Sequence, residues 1–214
     1  MNGEYQVARN RMVQRIRDRK LASEAVLAAM REIPRHIFAE SALALRAYGE
    51  DALPIGAGQT LSHPEVVAFM TESLQLQAGM KVLEVGTGSG YQAALLHLLG
   101  AEVWTVERIA SLHRNALSHW SAMGLQGKIR SRVGDGYEGW IEDAPFDRIL
   151  LTAAPRQIPE ALLNQLADGA QLLLPLEKDG RQRLLRVRRE GNRAYQEELG
   201  DCQFVPMLAR TVGS

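Results

Sequence analysis

The chain has 214 residues, 46% hydrophobic and 23% charged, and its 25 basic and 25 acidic side chains give a formal net charge of zero. That length supports one sizeable core but hardly two full domains, and the charge balance argues against a general polyanion binder. No apolar run approaches the roughly 18 residues of a membrane span, the N-terminus lacks a secretory apolar core, and Cys202 is the single cysteine, which excludes an internal disulfide. A cytoplasmic protein that engages neither nucleic acid nor membrane is expected.

From Val7 to Leu45 apolar residues recur at helical spacing, with Met12, Ile16, Val26, Leu27, Met30, Ile33 and Phe38 on one side and a break at Pro34. The basic run from Arg9 to Lys20 reads as a solvated helix face. Tyr48–Pro64 carries glycines and prolines without a period and reads as a long loop, a type often functional. Helix resumes after Pro64. Strands at Lys81–Val85, Ala101–Val106, Ile129–Val133, Arg148–Thr152 and Gln171–Leu176 then alternate with helices at Tyr91–Leu99, up to Met123, and at Pro159–Ala167. Such alternation predicts an α/β doubly wound, mostly parallel sheet. Arg183–Arg189 and Gln203–Leu208, around Gly191-Asn192, predict two antiparallel edge strands. The chain is therefore expected to form one domain: a helical and loop region at 1–75, a core at 76–176 and terminal strands at 177–214.

A glycine turn, Gly86-Thr87-Gly88-Ser89-Gly90, ends the first strand of the alternation. It departs from the dinucleotide pattern G-x-G-x-x-G, because its third glycine comes one residue early, and it lacks the Walker lysine. Glu107 ends the next strand, within the roughly 20-residue spacing at which an acid meets ribose hydroxyls. Asp135, in Gly134-Asp135-Gly136, ends the third strand at the same edge, where it can accept from an adenine amino group or simply close an Asp-Gly turn.

The run E-V-G-T-G-S-G-Y with Glu107 and G-D-G resembles the S-adenosylmethionine site of class I methyltransferases. The longer set of motifs narrows this further: A-Y-G-E-D-A-L-P-I-G-A-G-Q-T-L-S-H-P, G-T-G-S-G-Y-Q-A-A, G-D-G-Y-E-G-W, A-P-F-D-R-I-L-L-T-A-A-P and QFVPML. In that order they resemble the protein-L-isoaspartate (D-aspartate) O-methyltransferase family, from about Met12 to Leu208. The resemblance implies a Rossmann-like fold and a repair reaction. Methyl passes from S-adenosylmethionine to the α-carboxyl of L-isoaspartyl residues in damaged proteins and peptides, leaving S-adenosyl-L-homocysteine. It implies a cofactor site of Glu84, Gly86, Thr87, Gly88, Ser89, Gly90, Glu107, Asp135 and Gly136. It also implies a peptide site of Gln59, Thr60, Ile55 and Glu50, in a protein acting as a monomer. Leu61 and Glu50 depart from the commoner family residues, Glu50 standing where Asp or Asn is frequent.

The chemistry is consistent with the residues present. The acceptor carboxylate is already ionised at neutral pH and needs no general base, and no catalytic dyad or metal motif is evident. Ser62 is the first choice for orienting that carboxylate, since its hydroxyl donates a hydrogen bond without a competing charge. Its alternative duty is to cap the helix that starts near Pro64. Thr152-Ala153-Ala154-Pro155 replaces the Asp/Asn-Pro-Pro-aromatic motif of N-methyltransferases, which argues against a nucleic-acid methyltransferase. Two other readings stay open: an O-methyltransferase for another peptide or small carboxylate, and a non-catalytic S-adenosylmethionine-binding module. Asn2-Gly3, a pair prone to isoaspartate formation, raises the expectation of self-methylation.

Overall fold

The computed structural model describes residues 2–191 and 193–213. Five strands, β3 (Lys81–Val85), β4 (Glu102–Glu107), β5 (Arg130–Val133), β6 (Phe146–Leu151) and β7 (Leu166–Lys178), pair in parallel. Strands β8 (Arg181–Glu190) and β9 (Arg193–Asp201) extend the sheet by antiparallel pairing. The spatial order is β5-β4-β3-β6-β7-β8-β9. A separate two-strand ribbon, β1 (Leu53–Pro54) with β2 (Thr60–Leu61), lies within the segment expected to be loop.

Both faces of the sheet are covered, which is why its central strands read as continuous apolar runs. Side chains alternate between faces. Val82, Val103, Leu150 and Leu173 join one core together with α1 (Asn2–Asp18), α2 (Glu24–Glu32), α3 (Pro64–Ser73) and α4 (Tyr91–Leu98). Leu83, Trp104, Ile149, Leu151 and Leu172 join the other, with Leu162 of α6 (Glu160–Asn164) and Met207. Helix α5 (Ala110–Ala122) buries Leu112, Ala116 and Trp120, one helical stripe at four-residue spacing.

Four expectations need correction. Beyond Pro34 the chain is not α-helical but forms 3-10 turns at Arg35–Phe38 and Ser41–Tyr48. Proline drives the residue before it out of the helical region, and Ile33 is extended at φ −75° and ψ 120°. The helix expected at Pro159–Ala167 stops at Asn164, because the backbone there turns into sheet: Phe146 N–H donates to the Gln165 carbonyl at 2.8 Å. The strand expected at Gln203–Leu208 is instead an extended segment that crosses the strand ends, with Ala154 bridging Pro206. The strand after β8 is Arg193–Asp201, which is almost wholly exposed and so shows no apolar alternation. Finally, the basic run of α1 is only partly solvated. Arg15 and Arg19 both pair with Glu50 and Glu65, and Arg15 donates to the Tyr48 carbonyl at 3.1 Å. These contacts tie α1 to the start of the 48–64 segment and to α3.

Asn192 and the side chain of Asn2, on which the turn and self-methylation expectations rest, lie outside the described residues. Among the described residues no helix is long and apolar enough to cross a membrane.

Candidate active site

The sheet order reverses between β3 and β6, and in open α/β sheets ligands bind beyond the strand ends at such a point. A cleft of about 910 Å³, counted to its open mouth, lies there. Its floor includes Gly86, Thr87, Gly88 and Ser89 of the 86–90 turn, whereas Gly90 is outside the lining. Gly86 has φ +99°, and any β-carbon there would collide with Thr152 Oγ1, whose hydroxyl donates to the Gly86 carbonyl at 2.7 Å. Gly90, at φ +88°, starts α4, and a β-carbon on it would stand 2.7 Å from Trp120 Nε1. That indole N–H donates to the Gly90 carbonyl at 2.9 Å, locking the turn against α5.

Two carboxylates end adjacent strands at this floor. Glu107 is buried, and its two oxygens accept from Gly88 N–H at 2.8 Å and Ile109 N–H at 2.9 Å. The backbone thereby fixes its orientation, while each oxygen keeps a further lone pair toward the cleft. Glu84 is fully buried. Its Oε2 accepts from Thr105 Oγ1 at 2.6 Å, and Oε1 has no partner. Burial, with Glu107 nearby, pushes the Glu84 carboxyl up to about 8, partly offset by the Thr105 hydrogen bond. A buried carboxylate oxygen without a partner at a cleft wall fits a cationic donor group on a ligand.

Ser62 sits between β2 and α3 and lines the same cleft. It does not cap the helix. His63 is the N-cap, and its Nδ1 accepts from Glu65 N–H at 3.2 Å. The Ser62 hydroxyl is thus free of the capping duty that competed with a catalytic one. The Ser62 carbonyl accepts from the guanidinium of Arg35.

Of the sequence-predicted residues, Gln59, Thr60, Ser62, Glu84, Gly86, Thr87, Gly88, Ser89, Glu107 and Gly136 line this one cleft. Ile55 packs over the turn, its Cδ1 3.5 Å from where a Gly88 β-carbon would stand. Glu50 lies instead in an adjoining depression, with Asp51, His63 and Glu65, that shares Ser62 with the cleft. Asp135 is outside the lining. Its oxygens accept from Tyr137 N–H at 2.9 Å and Arg210 N–H at 2.6 Å, so it anchors the C-terminal segment.

Sequence reasoning missed two contributors. The C-terminal segment supplies Phe204, Val205, Met207 and Leu208 to the cleft. Its lacing is specific: Met207 N–H donates to Ala154 O at 2.8 Å, and Gln182 grips Phe204 by both its carbonyl (3.0 Å) and its N–H (2.7 Å). The motif QFVPML was visible, but strand and strap share an extended backbone. The second is Arg35, which carries no local signal and whose burial is a tertiary outcome.

The sheet order, glycine turn and paired strand-end acids define a Rossmann-like fold of the class I methyltransferase type. The model of the protein-L-isoaspartate (D-aspartate) O-methyltransferase family matches residues 7–212, and the chain belongs to that family. It is 51% identical over 205 residues to the protein-L-isoaspartate O-methyltransferase of Halorhodospira halophila, covering 95% of this chain and 92% of the relative. It is 47% identical over 207 residues to that of Hahella chejuensis, covering 95% and 97%. Among solved structures, one protein-L-isoaspartate O-methyltransferase superposes with a TM-score of 0.84 at 25% identity, covering 96% of this chain and 66% of the other. The chain thus spans just under two thirds of that structure's length. A Plasmodium falciparum structure in complex with S-adenosyl-L-homocysteine superposes with a TM-score of 0.83 at 22% identity, covering 94% and 98%, a likeness of fold.

Proposed function

We propose that this chain transfers a methyl group from S-adenosylmethionine to the α-carboxyl of L-isoaspartyl residues in damaged proteins and peptides. The observation that carries the reading is the meeting of Ser62, its hydroxyl free of capping, with the unpartnered Glu84 oxygen and the 86–90 turn in one cleft. The family membership names the acceptor.

The residues present fit S-adenosylmethionine. Glu84 Oε1 would accept from its ammonium and Glu107 from the ribose hydroxyls, and the small residues of the 86–90 turn would admit its close approach. Gly136 would line the part of the cleft that takes the nucleoside, and Asp135 anchors the C-terminal strap through Arg210. The bound cofactor supplies an electrophilic methyl group on a positively charged sulfur. The chain's own work is placement and dehydration. Ser62 donates a hydrogen bond to one oxygen of the acceptor carboxylate and aims the other at the methyl group. Gln59 and Thr60 present the β2 edge to the peptide main chain, with Ile55 packed between that ribbon and the turn. Glu50 reaches the peptide flank through the adjoining depression. Phe204, Val205 and Met207 keep water from the reacting atoms. No proton need be removed from the acceptor, consistent with a cleft that has no His or Lys among its lining side chains.

We further take the chain as one working unit, with 1–75 holding the peptide, 76–176 the cofactor and 177–214 the closing strap, acting as a cytoplasmic monomer. The test is methyl transfer to paired peptides that differ only in L-isoaspartyl or L-aspartyl linkage. Base-labile label on the isoaspartyl peptide alone supports the reading. Label on neither, with cofactor bound, moves the acceptor to another carboxylate.

A further inference from the structure

Arg35 is fully buried, and nothing in the reaction as described uses it. Its Nε donates to the Ala47 carbonyl at 2.7 Å and one terminal nitrogen to the Ser62 carbonyl, while the other terminal nitrogen has no hydrogen-bond acceptor among the described residues. The guanidinium carbon lies 4.7 Å from the centre of the Tyr91 ring. Tyr91 is itself buried, its hydroxyl has no hydrogen-bond partner among the described residues, and it lines the same cleft as Ser62. Both groups that Arg35 touches on the cleft side are therefore cleft walls.

No carboxylate among the described residues pairs with Arg35, although thirteen ion-pair contacts occur elsewhere. Burial works against its charge, eased by Tyr91, by Tyr48 and by the two carbonyls it donates to. A cation taken out of water without a counter-ion is costly, and a neutral amide can bridge two carbonyls without that cost. A strut alone does not account for a guanidinium here.

We infer that Arg35 is a positioning residue for the acceptor: it holds the Ser62 backbone and sets a buried positive charge behind Ser62 and Tyr91 that favours a carboxylate over a neutral carboxamide. The inference rests on the methyl-transfer reading above. An anion arriving at Ser62 meets that charge across protein rather than water, where attraction reaches further and salt screens it little.

The experiment compares two peptides, one with an L-isoaspartyl α-carboxyl and one with that carboxyl amidated, binding to the protein saturated with S-adenosyl-L-homocysteine. The wild type is expected to prefer the acid by about tenfold or more. R35Q should bring the two peptides to near-equal affinity, and R35K should keep the preference while lowering kcat through looser hold on Ser62. An R35Q variant that keeps the preference, or that weakens both peptides equally, overturns the inference. Affinity for S-adenosyl-L-homocysteine and the thermal midpoint report whether each variant is folded. Should R35Q not fold, the wild type still decides: the preference must survive ~0.5 M KCl, and its collapse there would assign it to a solvent-exposed cation such as Arg19. Wild type that labels no isoaspartyl peptide defeats the functional reading and this inference together. Wild type that labels it, with R35Q unchanged in preference, defeats the inference alone.

Discussion

Thr105 Oγ1 stands 2.6 Å from Glu84 Oε2, and that hydrogen bond leaves the second oxygen of the same buried carboxylate without a partner. The Thr105 hydroxyl also meets Thr87 Oγ1 at 2.7 Å, so the polar chain runs from the acid into the glycine turn. Glu84 is held in place by one oxygen, and its other oxygen is unsatisfied among the described residues at the wall of the cleft.

Proton release on ligand binding is the first expected consequence. With its carboxyl pushed up to about 8, Glu84 is mostly protonated at pH 7 in the free protein. An ammonium group against it restores the ionised form, so binding of S-adenosyl-L-homocysteine at pH 7 should release close to one proton. Calorimetry in buffers of different ionisation enthalpy measures it, and E84Q should abolish it. Because the folded-state pKa is raised, the contribution of Glu84 to stability is full below its unfolded value near 4.5. It falls as pH rises toward 8. The unliganded protein should therefore lose stability across that window, and E84Q should flatten the loss.

His63 caps α3, which leaves the Ser62 hydroxyl to the orienting role proposed for it. Ser62→Ala should lower kcat about a hundredfold while leaving affinity for S-adenosyl-L-homocysteine nearly unchanged. His63→Ala removes the cap of α3 and should cost about 1 kcal/mol in a denaturation curve. A stability loss in the serine variant, without a loss in turnover, would reverse the assignment.

At Gly90, an added methyl group meets the Trp120 indole in a left-handed backbone conformation. Gly90→Ala should destabilise the fold by about 1–3 kcal/mol. It should also weaken cofactor binding, since the 86–90 turn must shift. Thermal unfolding with and without S-adenosyl-L-homocysteine separates the two effects.

The strap offers a test far from the reacting atoms. Gln182→Ala deletes both hydrogen bonds to Phe204, each worth about 1 kcal/mol. Looser cover should raise the dissociation constant of S-adenosyl-L-homocysteine about three- to tenfold through a faster off-rate, which stopped-flow displacement reads. An unchanged off-rate would mean that the lacing at Ala154 and Asp135 suffices.

Local signals account for much of this protein. Lys81–Val85 reads as a strand because both its faces are buried, and the turn after it must be glycine where the backbone is left-handed or a neighbour crowds in. Glu107 was legible because it ends its strand at a spacing that marks a ribose-binding acid, whereas Glu84 entered only through the family resemblance. Arg193–Asp201 was not legible as a strand, since an exposed edge pairs through its backbone and leaves no apolar alternation.

What the sequence by itself determined is the alternation of parallel strands and helices from Lys81 to Leu176, the glycine turn and the strand-end acid Glu107, because these depend on backbone sterics and short-range periodicity. What only the tertiary structure decided depends on contacts between residues far apart in the chain. His63 rather than Ser62 caps α3. The segment from Phe204 to Leu208 leaves the sheet to close the cleft, held from Gln182 and Ala154. Arg35 reads like any surface arginine until the packing of α4 and the 48–64 segment around it removes water, and only then does its charge acquire a direction.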